Sequence, residues 1–381
     1  MYIREIELVN FRNYRKLKLD FAKDYNLIYG RNAQGKTNIL EAIFLCSAGR
    51  SHRTSKDNEL IRFNEEGYYV NLTVERRDGE KNIEILYKRN EKKRIKINGV
   101  SISRNGQLMG QLNTVLFSPE DLSLVKGGPA ERRRFLDIAI SQIKPSYFYD
   151  LQQYSKILTQ RNALLKEIGS RSSGSEKLKD TLEIWNENLA ETGSRIILER
   201  SIYLSELSKK AYGWHNLLTG QKEKIEVIYC PSIDISKCNG VNEIKAKFLE
   251  YLNDEIEKEI RSGMTMYGPQ RDDVELKING KSVKMYASQG QQRTAALTLK
   301  LSETELLKEI IGEYPVLLLD DVFSELDAFR KDYILASLEN MQTFITSTEN
   351  HLLLNTLKNS SVNKNVKTYM VENGTVSEEK M

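Results

Sequence analysis

Gly30-Arg31-Asn32-Ala33-Gln34-Gly35-Lys36-Thr37 follows the apolar run NLIYG and opens a stretch of helical periodicity. The octapeptide fits G-x-x-x-x-G-K-[ST] in the strand–loop–helix setting that the pattern requires. Glycines let the backbone come close to a polyphosphate, and successive N–H groups with the helix N-terminus bind its charge. Lys36 reaches the outer phosphates, and the Thr37 hydroxyl can ligate Mg²⁺. A helix is expected over 36–45.

A second stretch belongs with the first. Val316-Leu317-Leu318-Leu319-Asp320-Asp321 is an apolar run ending in two acids. It suits a fully buried parallel strand with Asp320 at its carboxyl edge, where open α/β sheets place their ligands. Asp320 is expected to hold Mg²⁺, and Asp321 to orient or deprotonate an attacking water. A third stretch, Ser288-Gln289-Gly290-Gln291-Gln292-Arg293, opens another helix, expected over 291–310. A hydroxyl beside a glycine at a helix N-terminus makes a second anion site or, more plainly, an N-cap. One nucleotide does not need two phosphate cradles on one chain. The economical expectation is that residues 288–291 meet the nucleotide of another copy.

The rest of the chain arranges itself around these stretches. IREIELVNF, RKLKLDF, YYVNLTVERR, NIEILYKR and RIKINGVSI read as strands, with DG and NG as hairpin turns. Past Pro119 the period becomes helical. Leu151, Leu158 and Leu165 recur every seven residues, with Tyr154 and Ile168 on the adjoining seam, and Leu182, Trp185, Leu189, Ile196 and Tyr203 do something similar. GSRSSGS between them suits a hairpin tip, so a short antiparallel helical arm is expected. Helix follows over 241–261. DDVELKINGKSVKMYA returns to strand, TFITST forms a late strand, and VENGTV suits a terminal hairpin. The expected organisation is an α/β lobe over 1–118 and 264–381, split by a helical insertion over 119–263.

Composition narrows the classes. The 381 residues carry 40% hydrophobic and 29% charged side chains, enough for a packed core. Lys and Arg exceed Asp and Glu by 57 − 53 = +4, which permits nucleic-acid contact without arguing for it. No apolar run approaches the roughly 18 residues of a membrane helix. MYIREIELVNFRNY alternates and carries charge, unlike a signal or transit peptide, so a cytoplasmic location is expected. Cys46, Cys230 and Cys238 form no C-x-x-C pair, and His52, His215 and His351 are scattered, so a structural zinc site is not expected.

The order of phosphate loop, insertion, S-x-G-Q stretch, LLLDD and Ser324-Glu325-Leu326-Asp327 resembles the ABC-type ATPase heads of the SMC family. NFRNY, FSPEDL with VKGGPAERRRFLD, YGPQRDD, SQGQQRT and LLLDDVFSELD bring the resemblance closer, to the RecF family of bacterial recombination mediators. These motifs span Asn10 to Asp327. The resemblance implies a P-loop ATPase head with an inserted helical lobe. It further implies ATP and Mg²⁺ as cofactors, slow DNA-stimulated ATP hydrolysis, and ATP-dependent dimerisation of a monomer. As partners it implies DNA at duplex and single-strand junctions, and RecR and RecO in loading RecA.

By motif, Gly30 to Thr37 match Walker A and Asp320 the Walker B metal carboxylate. Asp321 takes the place of a catalytic glutamate. Ser288, Gly290 and Gln291 match the signature that faces a partner's γ-phosphate, and Asp327 matches the D-loop. Two positions depart from the wider ATPase pattern: Gln289 stands where glycine is usual, and Ser347 or Thr348 stands where a switch histidine is usual. A shorter acid and a hydroxyl hold water less firmly, which suits slow turnover. No Q-loop glutamine is evident; FSPEDL occupies that region.

Basic clusters at Arg50, His52, Arg53 and Lys56, at 88–94, and at Arg132, Arg133 and Arg134 suit either DNA phosphate contact or a solvated charged face. Three other roles for such a chain are distinguishable. An SMC-type bridging protein needs long arms, yet Lys36 and Ser288 stand only 288 − 36 = 252 positions apart. A non-hydrolysing ATP-glued module would show equal, negligible hydrolysis with and without Asp321. A transporter subunit is opposed by the strand-rich start.

Overall fold

A computed structural model describes residues 1–170, 176–325, 331, 340–348 and 365–379. It divides into two compact units, Met1–Leu122 with Ala296–Met381, and Ser123–Ala295. The elements are, in order, β1 (Tyr2–Phe11), β2 (Tyr14–Asp20), β3 (Tyr25–Tyr29), α1 (Lys36–Ala48), β4 (Gly67–Arg76), β5 (Gly79–Lys88), β6 (Arg94–Ile97), β7 (Val100–Ser101) and β8 (Thr114–Phe117). Then come α2 (Leu122–Lys126), α3 (Pro129–Ile143), α4 (Pro145–Ser170), α5 (Glu176–Leu218), β9 (Ile225–Cys230), α6 (Val241–Asp254), α7 (Ile256–Ser262), β10 (Asp273–Ile278), β11 (Lys281–Ser282), α8 (Val283–Tyr286) and α9 (Gln289–Ile311). The chain closes with β12 (Val316–Asp320), β13 (Thr343–Ser347), β14 (Val366–Glu372) and β15 (Thr375–Glu379).

In the first unit, hairpins build an antiparallel sheet in the order β2-β1-β4-β5-β6-β7. Its alternation follows from one buried face: Ile3, Ile6, Leu8, Val70, Leu72, Ile83 and Ile85 are fully buried. The Asn98-Gly99 turn takes the left-handed backbone that a two-residue hairpin demands, at φ 51° and 76°. The second sheet has the order β15-β14-β3-β13-β12-β8, parallel except for β15. β3 and β12 flank β13 at its centre. Every residue of β12 is buried, as an unbroken apolar strand inside a parallel sheet must be.

The second unit is mostly helical, and α4 with α5 form the expected arm. The buried line is the adjoining one, however. Leu151 and Leu158 are half-exposed, while Tyr154, Ile157, Arg161, Leu164, Leu165 and Ile168 are buried. Leu164, Leu165, Ile168 and Leu182 pack together against Leu178, Trp185, Ile256 and Ile260. Arg161 can occupy this seam because the equally buried Glu259 carboxylate pairs with its guanidinium at 2.6 Å. The helix expected over 241–261 breaks at Glu255, whose φ and ψ are −100° and 7°. The expected hairpin tip falls largely at 171–175, outside the described residues.

The expected lobe boundary at 264 is corrected. Residues 264–295 belong to the second unit because β10 pairs along its whole length with β9, Asp273 opposite Cys230 through Ile278 opposite Ile225. Among the described residues no helix is long and apolar enough to cross a membrane.

Candidate functional site

The loop 30–35 leaves β3 at the carboxyl edge of the parallel sheet and turns directly into α1. Two of its positions require glycine. Gly30 has φ 148°, and a Cβ there would meet the Val371 carbonyl oxygen at 2.3 Å. Gly35 has φ 117°, and a Cβ would strike the Asn13 carboxamide at 2.4 Å. The loop is therefore pressed between β14 and the β1–β2 turn. Asn13 Nδ2 donates to the Gln34 carbonyl (2.6 Å), Tyr14 Oη to the Gly35 carbonyl (3.0 Å), and Asn38 Nδ2 to Asn13 Oδ1 (2.8 Å). From the other side the Asn373 N–H donates to Gln34 Oε1 at 2.6 Å. NFRNY, legible in the sequence only as a motif, is the brace of the loop.

Arg31, Asn32 and Ala33 are exposed, whereas the Lys36 side chain is buried back against the loop. Its Nζ donates to the Gly30 carbonyl (2.6 Å) and the Arg31 carbonyl (2.9 Å). Burial lowers the Lys36 pKa, against the opposing influence of Asp321 and Asp320. α1 begins without a side-chain cap and without an acid in its first turn. An uncapped helix N-terminus with a lysine folded over it is built for an anion.

The acids close the other side. Asp320 Oδ1 accepts from Thr37 Oγ1 at 2.8 Å and from Thr346 Oγ1 at 2.7 Å. Three elements, α1, β12 and β13, thus converge on one carboxylate oxygen. Burial raises the Asp320 pKa; the two hydroxyl donors and Arg53 act against it, and Glu120 acts with it. Asp321 follows at φ 52°, a strained conformation for a residue with a side chain, and its N–H donates to Thr346 Oγ1 at 2.9 Å. Thr37 and Asp320 form an oxygen-only donor set of the kind that suits Mg²⁺.

Thr346 belongs to no motif, and the expected switch positions are its neighbours Ser347 and Thr348. Ser347 is half-buried, and its carbonyl accepts from the Gly30 N–H at 3.3 Å; Thr348 is exposed. The available signal was the β-branched TFITST run, whose partner strand could not be known in advance. Asp327 lies outside the described residues.

Ser288, Gly290 and Gln291 belong to the second unit. Ser288, Gln289 and Gly290 are exposed and Gln291 is half-buried. A Cβ on Gly290 would meet only Ser288 Oγ, at 3.9 Å, so this stretch presents open backbone to solvent.

The basic candidates separate. Arg132 is buried: Nε and Nη2 bind both oxygens of Asp273 (2.7 and 2.9 Å), and Nη1 donates to the Gly127 carbonyl at 3.0 Å. Arg133 Nη1 donates to the Asp272 carbonyl at 2.7 Å, and burial lowers its pKa, assisted by Arg200. Both arginines tie α3 to the start of β10; Arg132 is spent there, while Arg133 stays half-exposed. Arg134 is half-exposed and Arg50 exposed. Arg53, exposed, donates to Asn38 Oδ1 at 3.2 Å, beside the first turn of α1.

The model of the RecF/RecN/SMC N terminal domain family matches residues 2–377. The DNA replication and repair protein RecF of Acetivibrio thermocellus is 50% identical over 355 residues, covering 93% of this chain and 95% of that relative. That of Ruminiclostridium cellulolyticum is 50% identical over 362 residues, covering 95% and 96%. A solved structure of the recombination mediator protein RecF with ATP, in the RecFOR pathway, superposes with a TM-score of 0.90 at 45% identity, covering 100% of this chain and 98% of the other. The Smc head domain with an extended coiled coil from Pyrococcus furiosus shares the fold alone, with a TM-score of 0.55 at 18% identity over 99% of this chain and 96% of the other.

Proposed function

The chain belongs to the RecF family, within the RecF/RecN/SMC proteins, and we propose that it is an ATP-gated DNA-binding protein of replication and recombinational repair. Its α/β fold is that of an ABC-type ATPase head. The observation that carries the proposal is the convergence of Thr37 and Thr346 on Asp320 beside the glycine-braced loop.

Each residue has a role in this reading. The backbone of Gly30, Arg31, Asn32, Ala33, Gln34 and Gly35 and the ammonium of Lys36 hold the triphosphate of ATP. Thr37 and Asp320 are the residues that would hold Mg²⁺, which when bound neutralises phosphate charge. Asp321 orients or deprotonates the attacking water, and the bond from its N–H to Thr346 holds its strained backbone in place. Ser288, Gly290 and Gln291 meet the γ-phosphate held by a second copy, with Asp327 at the seam between them. Two copies joined in this way form a composite surface that clamps duplex DNA at gaps and single-strand junctions by backbone contact. RecR and RecO join it in loading RecA, and slow, DNA-stimulated hydrolysis separates the copies. The proposed location is the cytoplasm.

Sedimentation with and without ATP, and with and without gapped DNA, tests the reading. The wild type should be monomeric without ATP and dimeric with it, and Ser288→Arg should remain monomeric. Unchanged ATP-dependent association of Ser288→Arg would overturn the composite site.

A further inference from the structure

The exposed turn at 288–291 is held from behind by a residue that no motif contains. Ser288 and Gln291 cap α9 reciprocally: the Ser288 N–H donates to Gln291 Oε1 at 2.8 Å, and the Gln291 N–H donates to Ser288 Oγ at 3.3 Å. This uses the carboxamide oxygen and leaves its nitrogen. Gln291 Nε2 donates to Glu223 Oε1 at 2.8 Å. The second oxygen, Glu223 Oε2, stands 3.2 Å from Nε2 of the fully buried His215 on α5. The turn carrying Glu223 is itself pinned. Thr219 Oγ1 donates to the His215 carbonyl (2.7 Å), the Lys224 N–H to Asn279 Oδ1 (2.9 Å), and the Asn279 N–H to the Lys224 carbonyl (2.9 Å).

We infer that Glu223 is a positioning residue for the signature, fixing the orientation of the Gln291 carboxamide so that the Ser288–Gln291 cap stays closed. The chemistry of the amide makes this specific. Turned over, Gln291 would point Nε2 at the Ser288 N–H, donor against donor, and the cap would open. With the cap closed, Ser288 Oγ accepts from the Gln291 N–H and keeps its own proton to donate. A carboxylate close to an anion-binding helix terminus works against that terminus unless its charge is engaged. Here one oxygen is engaged by Gln291 and the other faces His215. The inference rests on the reading that 288–291 meets the nucleotide of a second copy.

The test measures the concentration of a non-hydrolysable ATP analogue, with Mg²⁺, that half-saturates dimerisation in sedimentation velocity. Glu223→Ala should raise it about tenfold, the loss expected for a hydrogen bond to a charged group. Glu223→Gln, which keeps an acceptor, should stay within about twofold of wild type. The double variant Glu223→Ala/Gln291→Ala should be no worse than Gln291→Ala alone, because Glu223 acts through Gln291. Analogue binding by the dilute monomer should be the same in Glu223→Ala and wild type, which a general loss of structure would not leave intact. Should Glu223→Ala fail to fold by circular dichroism, Glu223→Asp, shorter by one methylene, should show a smaller loss in the same direction. Wild-type dimerisation by the folded Ala variant, or by Asp in its place, overturns the inference. So does a further tenfold loss in the double variant. Ser288→Arg separates the two readings. If it dimerises normally, the composite site fails; if it stays monomeric while Glu223→Ala matches wild type, only the role of Glu223 fails.

Discussion

Replacing Thr346 by valine removes one hydroxyl and changes almost nothing else. The side chain is 1% exposed, sits at the end of a parallel strand where a β-branched residue belongs, and keeps its shape. Two interactions go with the hydroxyl: the bond donated to Asp320 Oδ1 at 2.7 Å and the one accepted from the Asp321 N–H at 2.9 Å. A hydrogen bond to a charged group contributes about 1.5–3 kcal/mol, and a buried N–H left without an acceptor costs about 1–3 kcal/mol. The expected destabilisation of the first unit is therefore about 3 kcal/mol. Thr346→Ser, which keeps the hydroxyl and loses a methyl group, should cost about 1 kcal/mol.

Urea unfolding of the nucleotide-free protein, with the transition of the first unit fitted separately, is the assay. With a slope of about 3 kcal/mol per molar, the valine midpoint should fall by about 1 M. The deficit should also depend on pH. Burial already raises the Asp320 pKa above its ordinary 3.8. Such a carboxyl stabilises the fold most when protonated, below 3.8, and that contribution is lost as pH rises through its raised folded value. Removing a hydroxyl donor raises the folded value further, so more stability is lost over the same rise. The gap between valine variant and wild type should widen from pH 4 towards neutrality. A valine variant within about 0.5 kcal/mol of wild type, or a serine variant equally damaged, would refute the convergence on Asp320.

Other expectations follow from the same geometry. Lys36→Ala should weaken ATP binding at least about tenfold and abolish ATP-dependent dimerisation, as equilibrium dialysis and sedimentation would report. Asp321→Asn should bind ATP but slow single-turnover hydrolysis at least about a hundredfold; equal, negligible rates in both proteins would instead favour ATP as dimer glue alone. Arg132→Ala should destabilise the second unit by about 2–3 kcal/mol in chemical denaturation, since it breaks a two-pronged pair with Asp273. The same variant should leave the salt dependence of DNA binding unchanged, and a slope reduced by about one would restore Arg132 as a phosphate ligand.

Much of the site was legible because its chemistry is local in the chain. The glycine spacing of 30–35, the lysine and hydroxyl at the helix start, and an apolar strand ending in acid are each set by a few consecutive residues. Strand pairing is different. The second strand of the Asp320 convergence, β13, lies beside β12 only through sheet order, so Thr346 had no mark of its own. The choice of buried line in the arm has a similar cause. Leu151 and Leu158 keep a perfect heptad, yet the adjoining line with Tyr154 and Arg161 is the one inside, because Gln270 and Glu259, more than 90 positions away in sequence, supply their partners.

By itself, the order of residues determined that this chain carries a phosphate loop, a buried acidic strand and a helical insertion. Periodicity, glycine placement and side-chain chemistry act within a turn or a strand, and need no knowledge of distant neighbours. Only the tertiary structure decided which arginines serve as internal ties, that segment 264–295 joins the second unit, that Asn13 braces the phosphate loop, and that Thr346 and Glu223 stand behind the motifs. Each of those outcomes depends on which remote group satisfies a buried charge or an unpaired donor, and that partner exists only once the chain has closed upon itself.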